Sequence, residues 1–108
     1  MTESEFNHQI DETLLAIEEA VDASDTGIDY ENSGGVLTLI LPDHSQVIIN
    51  RQTPVRQLWM AAKSGGYHFD FDKKTSEWHR TSDGAELFVA LSEVLSEQGG
   101  KAVMLSAG

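Results

Sequence analysis

Carboxylates are the side chains whose number and spacing could do chemistry in this sequence. Ten stand in the first thirty-one residues: Glu3, Glu5, Asp11, Glu12, Glu18, Glu19, Asp22, Asp25, Asp29 and Glu31. No lysine or arginine accompanies them, and the first basic side chain is Arg51. From Arg51 to Gly108 seven acids meet seven bases, so the formal net charge of −11 lies wholly in the first half of the chain. Asp11, Glu18, Asp22 and Asp25 are 7, 4 and 3 positions apart, which on an α-helix makes one stripe. Glu12 and Glu19 make a parallel row one position on. Carboxylates without thiolates suit hard cations. Strung along a ridge, they predict weak, exchangeable sites rather than a closed cage. His8, three and four residues before Asp11 and Glu12, could add a nitrogen ligand for a divalent cation. A solvated surface histidine accounts for it more simply.

Two readings of the acidic stripe stand side by side. One is a solvated face that keeps the protein soluble. The other is a surface for cations or for a basic partner. The helix dipole bears on the choice. Glu3 and Glu5 sit at the N-terminal end, where it favours them. Glu18, Glu19 and Asp22 sit at the C-terminal end, where it opposes acids by about 0.3–1 kcal/mol each. Folding alone offers no reason to place them there, which favours the functional reading.

A second group is Asn50-Arg51-Gln52-Thr53-Pro54, followed by Gln57 and Trp59. In a strand at Leu58-Trp59-Met60 the apolar neighbours point one way, and Trp59 and Gln57 the other. A tryptophan ringed by Asn, Gln and Arg on the solvent side has the composition of an interaction hot spot. A half-buried tryptophan covering a sheet edge would have the same pattern. Signals for catalysis are thin. Gly65-Gly66 lacks the Lys-Ser/Thr of a phosphate loop, and no GxGxxG, HExxH or GxSxG is present. His68 and His79 fall on strands that could be neighbours, with no nucleophile beside them, and read as surface strand residues.

The totals restrict the function classes further. The chain has 108 residues and reads as one domain over 1–108. It contains no cysteine, which excludes disulfides, thiolate metal sites, cysteine-ligated clusters and a cysteine nucleophile. No apolar run reaches the roughly 18 residues of a membrane span. The acidic start differs from the basic start of secretory and mitochondrial leaders. Nucleic acid and anionic membrane need a basic contact face, so neither is expected as a partner.

Several elements must position these groups. Thr2 and Glu5 have capping-box spacing, with Ser4 as a rival cap. Phe6, Ile10, Leu14, Ile17 and Val21 then form one apolar helix face ending near Asp22. Ala16 and Ala20 beside it would let the helix pack closely on a sheet. Ser24 to Gly27 reads as a turn. Strand-like segments follow at 28–32, 36–41, 46–50, 58–60, 67–71 and 77–80. Turn signals separate them at Asn32-Ser33-Gly34-Gly35, Pro42 to Ser45 and Lys63-Ser64-Gly65-Gly66. Connections this short imply antiparallel strands. Tyr67, Phe69 and Phe71 alternate with His68 and Asp70. Asp83 and Glu86 again have capping-box spacing, and Leu87, Phe88, Leu91, Val94 and Leu95 make a second amphipathic helix ending before Gly99-Gly100. Val103, Met104 and Leu105 make the tail apolar enough for part of it to pack on the core. The predicted fold class is α+β: a two-layer sandwich, α-β(about six antiparallel strands)-α, with both helices on one face of the sheet.

The order of elements, the acidic first helix, Ile49-Asn50-Arg51-Gln52-x-Pro54-x-x-Gln57-x-Trp59 and Gly65-Gly66-Tyr67-His68-Phe69-Asp70 together resemble the frataxin family over essentially the whole chain. The start at Ser4-Glu5-Phe6 is similar to its bacterial, CyaY-type branch. The resemblance implies the frataxin fold and a small iron-binding protein of iron–sulfur cluster assembly in the bacterial cytoplasm. It implies Fe²⁺ or Fe³⁺ held weakly on an acidic ridge of Asp11, Glu18, Glu19, Asp22, Asp25, Asp29 and Glu31. The partners it implies are the cysteine desulfurase, through its basic surface, and the scaffold protein. Asn50, Gln52, Gln57 and Trp59 are the implied sheet-face contacts, with Arg51 in the same motif. Ala23, Ser24, Thr26 and Gly27 dilute the acidic run that family members often carry after the first helix. The expected state is a monomer, with an iron-dependent oligomer as the alternative. No covalent chemistry is expected. The competing readings are a ferroxidase working on surface carboxylates and an interaction protein that binds metal incidentally.

Overall fold

The computed structural model describes residues 1–107. The first helix, α1 (Glu3–Ser24), starts where the capping box places it: the Thr2 hydroxyl accepts from the Glu5 amide, and the Glu5 carboxylate accepts from the Thr2 amide. Ser4 therefore lies inside the helix. Phe6, Ile10, Leu14, Ile17 and Val21 are all buried. The helix runs past Asp22 to Ser24 and stops at Asp25, which takes the left-handed conformation (φ 52°) that aspartate tolerates better than most residues.

Six strands follow: β1 (Asp29–Ser33), β2 (Val36–Ile40), β3 (Gln46–Gln52), β4 (Gln57–Ala62), β5 (Gly65–Asp72) and β6 (Glu77–Arg80). They pair in chain order, each antiparallel to the next. Gly34 and Gly35, at φ 61° and 80°, make the two-residue turn between β1 and β2. Positive φ at both positions suits the twist of a tight hairpin, and glycine adopts it without steric cost. Pro54 lies in a short 3₁₀ turn (Thr53–Val55) between β3 and β4. Gly65 and Gly66 do not lie in a loop as expected. They pair with Ala62 and Ala61, so the turn shrinks to Lys63-Ser64. Backbone pairing carried up to a two-residue turn outweighs the weak strand preference of glycine.

The second helix, α2 (Leu87–Gly99), is capped by Glu86 and not by Asp83. The Glu86 carboxylate accepts from the Phe88 and Val89 amides. Asp83 binds Arg80 and the Ala85 amide, closing the turn before the helix. Gly100 ends α2 in the left-handed conformation.

One face of the sheet carries Leu37, Leu39, Val47, Ile49, Leu58, Met60, Phe69 and Trp78, all buried with the apolar stripes of both helices in a single core. The other face is open. This is the expected α+β sandwich with both helices on one side. The tail adds Val103 and Leu105 to the core and leaves Met104 87% exposed. Ser92 and Ser96 of α2 hold it: each hydroxyl accepts from the amide of Leu105 and Val103, respectively. Ala16 and Ala20 face this tail rather than the sheet, lining a shallow groove with Met104, Ser106 and Ala107.

Candidate acidic ridge and sheet-face site

The acids of α1 divide by helix flank. Asp11, Glu18 and Asp22 lie on the flank nearest β1 and β3, and each has a partner there. Asp11 accepts from Arg51 Nη2 at 2.5 Å, Glu18 from Asn32 Nδ2 at 3.0 Å and Asp22 from the Tyr30 hydroxyl at 2.8 Å. Tyr30 ionises above its ordinary value because its proton is engaged by Asp22, with burial and the charges of Asp22 and Glu18 adding to the effect. Folding does therefore have a use for two of the acids that the helix dipole opposes: they tie the end of α1 to the first strand.

The remaining candidates have no partner within the described residues. His8, Glu12 and Glu19 are exposed on α1, away from β1, and Asp25 is exposed at the cap. Asp29 and Glu31 point to the open side of β1. Strand alternation requires this, because Tyr30 and Asn32 turn toward α1. The ridge is thus split, with its helix acids on one side of β1 and its strand acids on the other. Among the described residues no three His, Asp or Glu side chains converge on a point that could hold a metal ion. As oxygen donors these carboxylates suit a hard cation. Single carboxylates would hold it along the surface, leaving much of its hydration in place.

The second group assembles on the open sheet face. Trp59 lies opposite Asn50 on β3 and His68 on β5. Its ring stacks on His68 with centroids 4.2 Å apart and planes 10° from parallel. Trp59 Nε1 donates to Gln57 Oε1 at 2.9 Å, and Gln57 Nε2 donates to Asp70 Oδ1 at 3.1 Å. Gln52 lies opposite Gln57. Half-buried by these neighbours, Trp59 forms a fixed aromatic platform. The structure adds His68 and Asp70 to this group. Their alternation with Tyr67, Phe69 and Phe71 already put them on the open face, but only the β4–β5 register sets them against Trp59 and Gln57. His79 lies opposite Asp70 on β6, confirming that the two histidine-bearing strands are neighbours, and sits between Glu77 (3.2 Å) and Asp72 (3.8 Å).

Arg51 does not join this group, although its neighbours in the motif do. It lies opposite Leu58 on the helix side of the sheet, as the pleat demands for a residue between Asn50 and Gln52. There its guanidinium spans Asn7 (2.8 Å) and Asp11 on α1. It also lies against the β1–β2 turn: a Cβ on Gly35 would come within 3.2 Å of Nη2.

The Frataxin-like domain matches residues 1–101 of this sequence. The chain belongs to the frataxin-like family. It is 44% identical to the iron-sulfur cluster assembly protein CyaY of Pseudomonas aeruginosa over 103 residues, covering 95% of each chain. It is 42% identical to that of Paraburkholderia phymatum over 106 residues, covering 98% of this chain and 99% of the relative. Among solved structures, frataxin from Psychromonas ingrahamii superposes with a TM-score of 0.88 at 33% identity, covering 98% and 99% of the two chains. Trimeric frataxin from Saccharomyces cerevisiae, complexed with ferrous, superposes at 0.66 with 32% identity and 94% and 88% coverage. The family therefore joins this fold to relatives named for cluster assembly.

Proposed function

We propose that this protein serves iron–sulfur cluster assembly in the bacterial cytoplasm as a regulator without covalent chemistry of its own. Its acidic ridge docks on the basic surface of the cysteine desulfurase and carries iron in weak, exchangeable sites. The Trp59 platform, with Asn50, Gln52 and Gln57, supplies a second contact to the desulfurase–scaffold assembly. The observation that carries this reading is the set of free carboxylates. Glu12, Glu19, Asp25, Asp29 and Glu31 have no partner among the described residues, and on a chain of net charge −11 their like charges repel one another. A cation or a basic surface would relieve that repulsion. The CyaY names of the bacterial relatives and the ferrous complex of yeast frataxin supply the direction.

Binding to the desulfurase, measured at low and moderate salt, tests the reading. The expected result is association that weakens with salt and is lost when Glu18, Glu19 and Asp22 are reversed to lysine. No association at low salt, or none of that sensitivity, would overturn it.

A further inference from the structure

The two edges of the sheet differ. The β6 edge is closed by the chain itself: Arg80 donates to the Ala85 carbonyl, Gly84 to Arg80, and His79 forms a bridge with Glu86. The β1 edge is bare. Ser33 and Val36 flank the two-residue turn and so exchange both backbone hydrogen bonds. Alternation along an antiparallel pair then gives Glu31 and Asp29 to the ladder with β2. The N–H and C=O groups of Tyr30 and Asn32 face outward, and no hydrogen bond within the described residues takes them. Asp29, Glu31 and Asn32 are exposed, so the edge is open to an incoming chain.

Charge selects the occupant. A strand added to β1 would run between two rows of carboxylates. Asp29 and Glu31 stand on its open face, and Glu18 and Asp22 on its helix face. Glu18 and Asp22 each engage β1 through one oxygen, leaving the other free within the chain. Basic residues on either face of the incoming strand would therefore meet an acid. A second copy of this chain would bring like charges together along the same edge, which disfavours self-pairing.

We propose that the free edge of β1 is a strand-docking site for an extended basic segment of a partner protein. The segment pairs its backbone with Tyr30 and Asn32 and its lysines or arginines with the flanking acids. This rests on the acidic-ridge reading and adds to it a backbone geometry that charge alone does not require.

The probe is a short peptide of lysine and threonine. Its control is the same peptide with every backbone amide methylated, which keeps the charge and removes the donors. Residue-resolved hydrogen exchange is followed on the intact protein. The expected result is that the Tyr30 and Asn32 amides slow by about tenfold or more on binding the plain peptide. The methylated peptide should bind roughly three- to tenfold more weakly or not at all, the scale of one or a few lost hydrogen bonds. Asn32→Pro removes an outward amide and no charge, at a position where an edge strand tolerates proline. It should weaken the plain peptide relative to Asn32→Ala, which loses the same side chain. Equal binding of both peptides, unchanged Tyr30 and Asn32 exchange, or no binding at low salt would each overturn the proposal. If desulfurase binding remains sensitive to reversal of Glu18, Glu19 and Asp22 while the edge amides stay unprotected, the ridge reading stands and strand docking fails.

Discussion

Arg51 shows how one residue can change a site. It occurs in a motif with Asn50 and Gln52, yet its guanidinium crosses to the helix side and joins Asn7 and Asp11. Asp11 is then neutralised within the fold and contributes less than Glu12 or Glu19 to any external cation. Asp83 shows the same economy. Arg80 binds both of its oxygens, and with the Ala85 amide this holds its carboxyl down at about 2, against 3.8 for an ordinary aspartate. A depressed carboxyl stabilises the fold above its ordinary value, and the contribution is lost as pH falls from 3.8 toward about 2. Urea unfolding across that acid range should show Asp83→Asn less stable than the parent near neutral pH, with the gap closing toward the lower limit. A constant gap would mean that the ionised pair is not its source.

The capping of α2 sets how the second helix enters the core. In the sequence Asp83 and Glu86 have capping-box spacing, which makes Asp83 the expected cap and Glu86 its partner three residues on. Distance along the chain cannot decide, because the outcome depends on where β6 ends. Arg80, at the end of β6, captures Asp83, and Glu86 is left to cap the Phe88 and Val89 amides. Glu86→Ala should therefore cost about 1 kcal/mol of stability, read as a lower denaturant midpoint with an unchanged slope. A negligible loss would return the capping role to another residue. The same dependence on neighbours explains Gly65 and Gly66, which extend β5 because Ala62 and Ala61 pair with them.

Across the whole molecule, the polarised charge has a thermodynamic consequence. Five unpartnered acids on a chain of net charge −11 repel one another, and salt screens them over roughly 8 Å at physiological ionic strength against about 30 Å at 0.01 M. The melting temperature should rise with salt by several degrees, since about 1 kcal/mol moves a domain of this size by roughly 4–8 °C. A millimolar divalent cation at constant ionic strength should raise it further if the ridge binds one. Replacing Glu12, Glu19, Asp25, Asp29 and Glu31 by their amides should abolish that additional rise. Calorimetry reads both effects, and a melting temperature indifferent to the cation would count against a real site.

By itself the sequence determined the elements and their order, because apolar periods of 3.6 and 2 are local properties of the chain. It also determined the charge polarity, the absence of thiol chemistry and the solvent-side direction of Trp59. The residues that carry the family resemblance were legible for the same reason: their spacing is in the chain. Only the tertiary structure decided which acids remain free, since that depends on Tyr30, Asn32 and Arg51 arriving from other strands. It alone put His68 under Trp59 through the β4–β5 register. It also placed Asp29 and Glu31 across β1 from the helix acids, and closed one sheet edge while leaving the other bare. Such pairings join residues far apart in sequence, and no local spacing encodes them.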